Sequence, residues 1–216
     1  METVHVYTKD GLTIEGDYYA SSGESGVLLL HMMPADRTSW NLFALKLQEA
    51  GFHILAIDLR GHGKSTGGPV GYRMFSDAEH QQSIFDVEAS VEFLYGKGIK
   101  KLHIGGASIG ANLAAEYAAK HLEVASALLL SPGLDYHGIH TDIWIDNIKP
   151  HQAVLLVASD DDVYSFTSIK ALFDRSANLP KREIKLLSEA GHGTYMFEKN
   201  SAFIDELTMW LKKVDA

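Results

Sequence analysis

With 216 residues, of which 46% are hydrophobic and 22% charged, the chain carries enough apolar material for one substantial core and lacks the composition of a disordered segment. A formal net charge of −9, with no basic cluster beyond pairs such as Lys100-Lys101 and Lys212-Lys213, argues against nucleic acid or an anionic membrane surface as a partner. The lack of any cysteine excludes disulfides, thiolate catalysis and a cysteine-ligated structural zinc.

The chain opens with polar/apolar alternation over 4–8 and 13–19, two strands joined through the turn pair Asp10-Gly11. The first residues show neither a basic start nor an apolar run behind it, so they read as a strand instead of a secretion leader, and a cytoplasmic location is expected. Near-continuous apolar stretches follow at 26–31, 53–58, 101–105, 125–130 and 153–158, the pattern of strands buried on both faces; alternation returns over 182–187. Helical periodicity fills the gaps at 40–50, 78–96, 109–121, 166–177 and 197–214, with Gly51 and Gly96 as stops. No repeat, low-complexity tract or linker interrupts this order, and the longest apolar runs fall far short of the ~20 residues that span a bilayer. The alternation predicts one α/β domain over 1–216, with about eight strands in a mostly parallel sheet and helices on both faces.

Chemistry concentrates at Gly106-Ala107-Ser108-Ile109-Gly110, which an apolar strand enters and an alanine-rich helix leaves. A serine on so tight a strand-to-helix turn needs small neighbours, which Gly106 and Gly110 supply. The turn lifts the hydroxyl clear of the sheet and sets the Ile109 N–H at a helix N-terminus, where a developing oxyanion is stabilised. The alternative is a glycine-rich turn with an N-capping serine.

Taken with His31-Met32-Met33-Pro34 after the third strand and Asp58-Leu59-Arg60-Gly61-His62-Gly63-Lys64-Ser65 after the fourth, the order of features resembles the α/β-hydrolase superfamily over essentially the whole chain. The resemblance implies a Ser-His-Asp triad. Ala190-Gly191-His192-Gly193 follows the last strand and precedes the last helix, where that superfamily carries its histidine, so His192 is the expected base for Ser108. Asp160, Asp161 and Asp162 follow the strand at 153–158, where the acid stands; with Ser159 in place of the glycine of a Gly-x-x-Asp pattern, Asp162 aligns with the acid, Asp160 is next, and each is also a plausible turn former or helix cap.

By the same resemblance the second oxyanion donor is the backbone N–H of Met33, although Met32 stands where relatives carry glycine; both methionines also suit core packing. Arg60-Gly61-His62-Gly63 resembles a supporting loop without chemistry of its own. His137 and His140, with Asp135 and Asp142, lie in a loop without a clear metal-ligand set. Between the sixth and seventh strands, where many relatives insert a helical lid, only about twenty residues are available, which implies a short cover and an open site. Met32, Tyr72, Phe75, Tyr136 and Trp144 are the candidate pocket residues, with core packing the alternative for the aromatic ones. The function implied is hydrolysis of small or short-chain carboxylic esters through an acyl-enzyme, with no cofactor or metal and a small-molecule ester as substrate. A thioesterase or perhydrolase on the same triad, or a catalytically silent binding scaffold, is the alternative.

Overall fold

The apolar stretches become strands in a computed structural model that describes residues 1–216. In chain order the strands are β1 (Glu2–Tyr7), β2 (Thr13–Tyr19), β3 (Ser25–Leu30), β4 (His53–Ile57), β5 (Lys101–Ala107), β6 (Val124–Leu130), β7 (Asp135–Tyr136), β8 (Ile139–His140), β9 (Ala153–Ser159) and β10 (Arg182–Leu187). Eight of them form one sheet in the order β1-β2-β4-β3-β5-β6-β9-β10, antiparallel at the β1–β2 and β2–β4 pairings and parallel throughout the rest. The helices are α1 (Asn41–Glu49), α2 (Asp77–Gln81), α3 (Ile84–Gly96), α4 (Ile109–Lys120), α5 (Thr141–Ile145), α6 (Val163–Arg175), α7 (Met196–Lys199) and α8 (Ala202–Asp215).

The central strands read as continuous apolar runs because both of their faces are covered. Along β3, Leu28 and Leu30 pack into one core layer while Val27 and Leu29 pack into the other; β4 divides Leu55 and Ile57 from Ile54 and Ala56 in the same way. The first layer takes in Val87, Val91 and Leu94 of α3 and most of α4, and the second takes in Phe43 and Leu47 of α1 and Phe203, Leu207 and Trp210 of α8. Residues 109–119 of α4 are all buried, which explains why small alanines dominate a helix covered on every side.

Chain direction across the sheet reverses between β3 and β5. From β3 the chain moves to β4 on one side, and from β5 it moves to β6 on the other, so the loops leaving β3 and β5 part at their carboxyl ends and open a crevice there. Registers pair Leu30 with Gly106, Ala107 with Leu130, Leu130 with Val157 and Ser159 with Leu187. The segments that follow, at 31–33, 108, 131, 160–162 and 188–192, therefore leave the sheet along one edge.

Two expected helices are each broken. The helix read over 78–96 divides into α2 and α3, where Ser83 and Asp86 form a tighter turn (Asp86 N–H to Ser83 O, 3.1 Å) and Asp86 turns inward to accept from Arg60. The helix read over 197–214 divides into α7 and α8 at Asn200, which takes extended backbone. On α1, Phe43 and Leu47 are buried but Leu42 and Leu45, in the same apolar run, face solvent. Nothing in the periodicity indicated the β7–β8 hairpin or α5, which together make up the short cover.

Candidate active site

Ser108 follows the last residue of β5 directly and holds φ +54°, ψ −122°, a conformation costly for a residue with a β-carbon. Both flanking glycines are required by close backbone approach. A β-carbon on Gly106 would lie 2.0 Å from Gly110 O, and one on Gly110 would lie 2.4 Å from Leu30 O and 2.7 Å from His31 O. Backbone bonds fix the turn: Ser108 N–H donates to Leu130 O, and Ser108 O accepts from Ala111 and Asn112. As the first residue of α4, Ile109 presents an N–H that no intrahelical carbonyl can take. The Met33 N–H likewise donates to no backbone carbonyl.

His192 lies in the loop between β10 and α7, its turn made by Gly191 (φ +81°) and Gly193 (φ +58°). The four residues at the end of β9 hold this loop almost one for one. Ser159 Oγ accepts from Ala190 N–H (2.7 Å), Asp160 from Glu189 N–H (2.8 Å) and the Ser188 hydroxyl (2.7 Å), and Asp161 from Gly191 N–H (3.1 Å). Asp162 Oδ2 meets His192 Nδ1 at 2.6 Å. The three consecutive carboxylates thus separate by partner: two grip the loop backbone and only Asp162 takes the imidazole. Ser159, standing where a glycine was expected, uses its hydroxyl as a further clasp.

Asp162 also caps α6 through the Ser165 N–H (3.4 Å), so the cap and the imidazole contact belong to one side chain. Its burial alone would raise its pKa, but the bonds from His192 and Ser165 outweigh that and hold it below the ordinary carboxylate value. A carboxylate accepts only, so Nδ1 of His192 is the protonated nitrogen and Nε2 of the neutral ring carries a lone pair. Ser108 makes no direct hydrogen bond to that ring in this resting arrangement; the Tyr136 hydroxyl is close enough to Ser108 to feel it, although its hydrogen bond goes to Ser165 Oγ (3.3 Å).

Asn112 was not singled out by sequence reasoning. One turn beyond Ser108 and fully buried, it donates to Ile139 O (2.8 Å) and accepts from Gly133 N–H (3.1 Å), pinning the chain on both sides of Tyr136. A single amide near the start of an alanine-rich helix was the available signal. Asn112→Ala would leave both groups buried without partners, at about 1–3 kcal/mol each; we expect a lowered melting temperature by calorimetry, with the β7–β8 cover loosened in hydrogen exchange. Ser131 (φ +49°) is a second such residue: its hydroxyl accepts from Gly193 N–H (2.9 Å) and its carbonyl from the Ser165 hydroxyl (3.2 Å).

The candidate pocket residues part company. Tyr136 is beside Ser108. Trp144 is not: its ring lies over Lys120 Nζ (4.6 Å), at the opposite end of α4 from Ser108, and it packs on the core there. At 1.5 Å rise per residue, the twelve residues of helix from Ser108 to Lys120 span about 18 Å. Met32 is 1% exposed, with its sulfur against Thr194 Oγ1 (3.8 Å), so it joins the two loops as core and walls only a small cleft of about 200 Å³ with Ala35, Thr194 and Tyr195. Tyr72 stacks on His62 (4.1 Å between centroids), and Phe75 sits edge-on to His80 (5.4 Å). Arg60 binds Asp86 and Asp10, tying the loop after β4 to α3. His137 and His140 turn to separate carboxylates, Asp77 (2.9 Å) and Asp142 (3.7 Å).

A strained serine at a strand-to-helix turn, with a carboxylate-bound imidazole leaving the same sheet edge beside a topological switch point, defines the class: an α/β protein built around a strand–serine–helix elbow. The chain belongs to the α/β-hydrolase fold family, which matches residues 27–161, more than half of its length. Among curated relatives it is 33% identical over 129 residues to a bifunctional esterase/perhydrolase of Acinetobacter calcoaceticus, covering 59% of this chain and 44% of that protein. It is 30% identical over 126 residues to a monoacylglycerol lipase of Xenopus laevis, covering 55% and 35%. The chain therefore spans less than half the length of these relatives. Among solved structures, an esterase of Pyrococcus furiosus shares the fold with a TM-score of 0.82 at 19% identity, over 98% of this chain and 91% of that one. No helix is long and apolar enough to cross a membrane.

Proposed function

We infer that the chain hydrolyses small carboxylic esters, with Ser108 as nucleophile, His192 as base and then acid, and Asp162 as the orienting carboxylate. The observation that carries this reading is the 2.6 Å contact of His192 Nδ1 with Asp162, at the edge where Ser108 occupies its strained turn. With its proton fixed on Nδ1, His192 takes the Ser108 proton on Nε2 once the hydroxyl turns towards the ring; hydrogen bonds of this kind tighten when substrate binds. The hydroxyl oxygen attacks the ester carbonyl, and the tetrahedral oxyanion lies against the Ile109 and Met33 N–H groups. His192 then gives its proton to the departing alcohol. Water, deprotonated by the same nitrogen, attacks the acyl-enzyme and releases the acid. The names of the relatives, an esterase/perhydrolase, a lipase and an esterase, support ester chemistry.

The test is covalent. A fluorophosphonate is expected to label the folded protein at Ser108 and to leave Ser108→Ala unlabelled, and p-nitrophenyl esters are expected to be turned over by the first and not the second. Folded protein that neither labels nor hydrolyses would mark a silent scaffold. The perhydrolase relative favours one second reading: hydrogen peroxide replacing water at the acyl-enzyme, giving a peracid. Peracid formation from an acetate ester in peroxide, absent in Ser108→Ala, would establish it.

A further inference from the structure

Tyr136 reaches the nucleophile because three separate elements hold it there. Asn112, four residues after Ser108, fixes the backbone at Gly133 and Ile139 on either side of it. Ser165, three residues after Asp162, lies 3.3 Å from the Tyr136 hydroxyl, and because the Ser165 proton is given to Ser131 O, the phenol is the donor in that contact. The ring packs against Gly133, where an added β-carbon would fall 2.8 Å from it, and meets Tyr164 edge-on at 5.6 Å. The residue is thus anchored to the helix that begins at the nucleophile and to the helix that begins at the carboxylate, which brings it to the neighbourhood of Ser108. Burial also raises its pKa, so it remains a neutral phenol at working pH.

We propose that Tyr136 is the specificity-determining residue for the acyl group: its ring, locked beside Ser108, restricts the site to short acyl chains. This rests on the hydrolase reading given above. The acyl group stays bonded to the Ser108 oxygen through both half-reactions, whereas the alcohol is present only in the first, so a rigid ring next to that oxygen bears chiefly on the acyl side. The short cover makes the restriction dependent on a single side chain. A longer lid would spread it over many residues; here one phenol, held at both ends, forms the wall.

The experiment compares p-nitrophenyl acetate and octanoate on wild type, Tyr136→Ala, Tyr136→Val and Tyr136→Phe, with fluorophosphonate labelling at Ser108 as the measure of a competent fold. Each methylene newly admitted to an apolar pocket changes kcat/KM by about tenfold or more. Tyr136→Ala is therefore expected to raise the octanoate-to-acetate ratio of kcat/KM by at least about tenfold. Tyr136→Val, which suits a strand position, is expected to move the ratio in the same direction and keeps the test decisive where alanine compromises folding. Tyr136→Phe retains the ring and is expected to keep the wild-type ratio to within about twofold. Ratios in the labelled alanine and valine variants that stay at the wild-type value overturn the proposal. Wild-type protein that fails to label is a separate result, seen before any variant is made; it overturns the hydrolase reading and the proposal with it.

Discussion

Asp162→Asn is expected to lower kcat on p-nitrophenyl acetate by about 10⁴-fold without unfolding the protein. The size follows from the role proposed for the carboxylate: bound to His192 Nδ1, it would hold the ring with the proton there and stabilise the imidazolium formed when Ser108 gives up its proton. An amide can present an N–H to Nδ1 and favour the opposite tautomer, which leaves Nε2 protonated and unable to act as a base. Stability is spared because asparagine caps a helix as well as aspartate does, so the bond to the Ser165 N–H at the start of α6 survives. The neighbouring carboxylates provide the contrast. Asp160 and Asp161 accept from the backbone of the His192 loop, an acceptor role that an asparagine oxygen retains, so Asp160→Asn and Asp161→Asn are expected to stay within about tenfold of wild type. Steady-state kinetics with circular dichroism on the three variants checks this. A silent Asp162→Asn beside an inactive Asp160→Asn would transfer the orienting role to Asp160.

These contrasts also mark where the sequence was sufficient. Alternation and apolar continuity located all eight strands of the main sheet because those patterns are direct consequences of one-sided or two-sided burial, as the division of Leu28 and Leu29 between two core layers makes plain. Ser108 was legible because its turn demands glycine at 106 and 110, and clearances of 2.0 and 2.4 Å leave no room for anything larger. The choice among three aspartates was not legible on physical grounds, since all three are exposed or partly exposed acceptors close to one loop and only their directions differ. The β7–β8 hairpin and α5 escaped because each is too short to show a period. Trp144 was misplaced for the same reason: with no register for the cover, nothing indicated that its ring falls at the far end of α4 over Lys120. Asn112 and Ser131 were passed over because their partners are backbone groups brought near only by the fold.

Acid is expected to destabilise the protein well above the carboxylate range, between about pH 6.5 and 4, through two buried histidines behind the site. Burial pushes both His31 and His62 down to about 4, and for His62 a charge on His31, 4.8 Å away between ring centres, lowers it further. Hydrogen bonding gives the same answer. His31 donates from Nδ1 to Met32 O and accepts at Nε2 from Leu59 N–H, so a second proton has no acceptor and displaces a backbone bond. His62 donates from Nδ1 to Arg60 O, while its Nε2 is buried with no partner. A base whose folded pKa lies below its unfolded value leaves the unfolded chain binding more protons within the window, so stability is full above about pH 6.5 and falls as the pH drops towards 4. At 1.36 kcal/mol per pKa unit, each histidine contributes about 3 kcal/mol of that loss, and two together rival the whole stability of a typical domain. Because His31 bridges the segment bearing Met33 to the loop after β4, the proposed oxyanion donor is expected to loosen as the fold weakens. Urea unfolding at several pH values checks the slope, and His62→Phe, which keeps the stack on Tyr72 and cannot titrate, is expected to make it measurably shallower, with the buried His80 and His103 sharing what His31 leaves. Superimposable pH profiles for wild type and His62→Phe would show that His62 takes up its proton in the folded state as readily as in the unfolded chain.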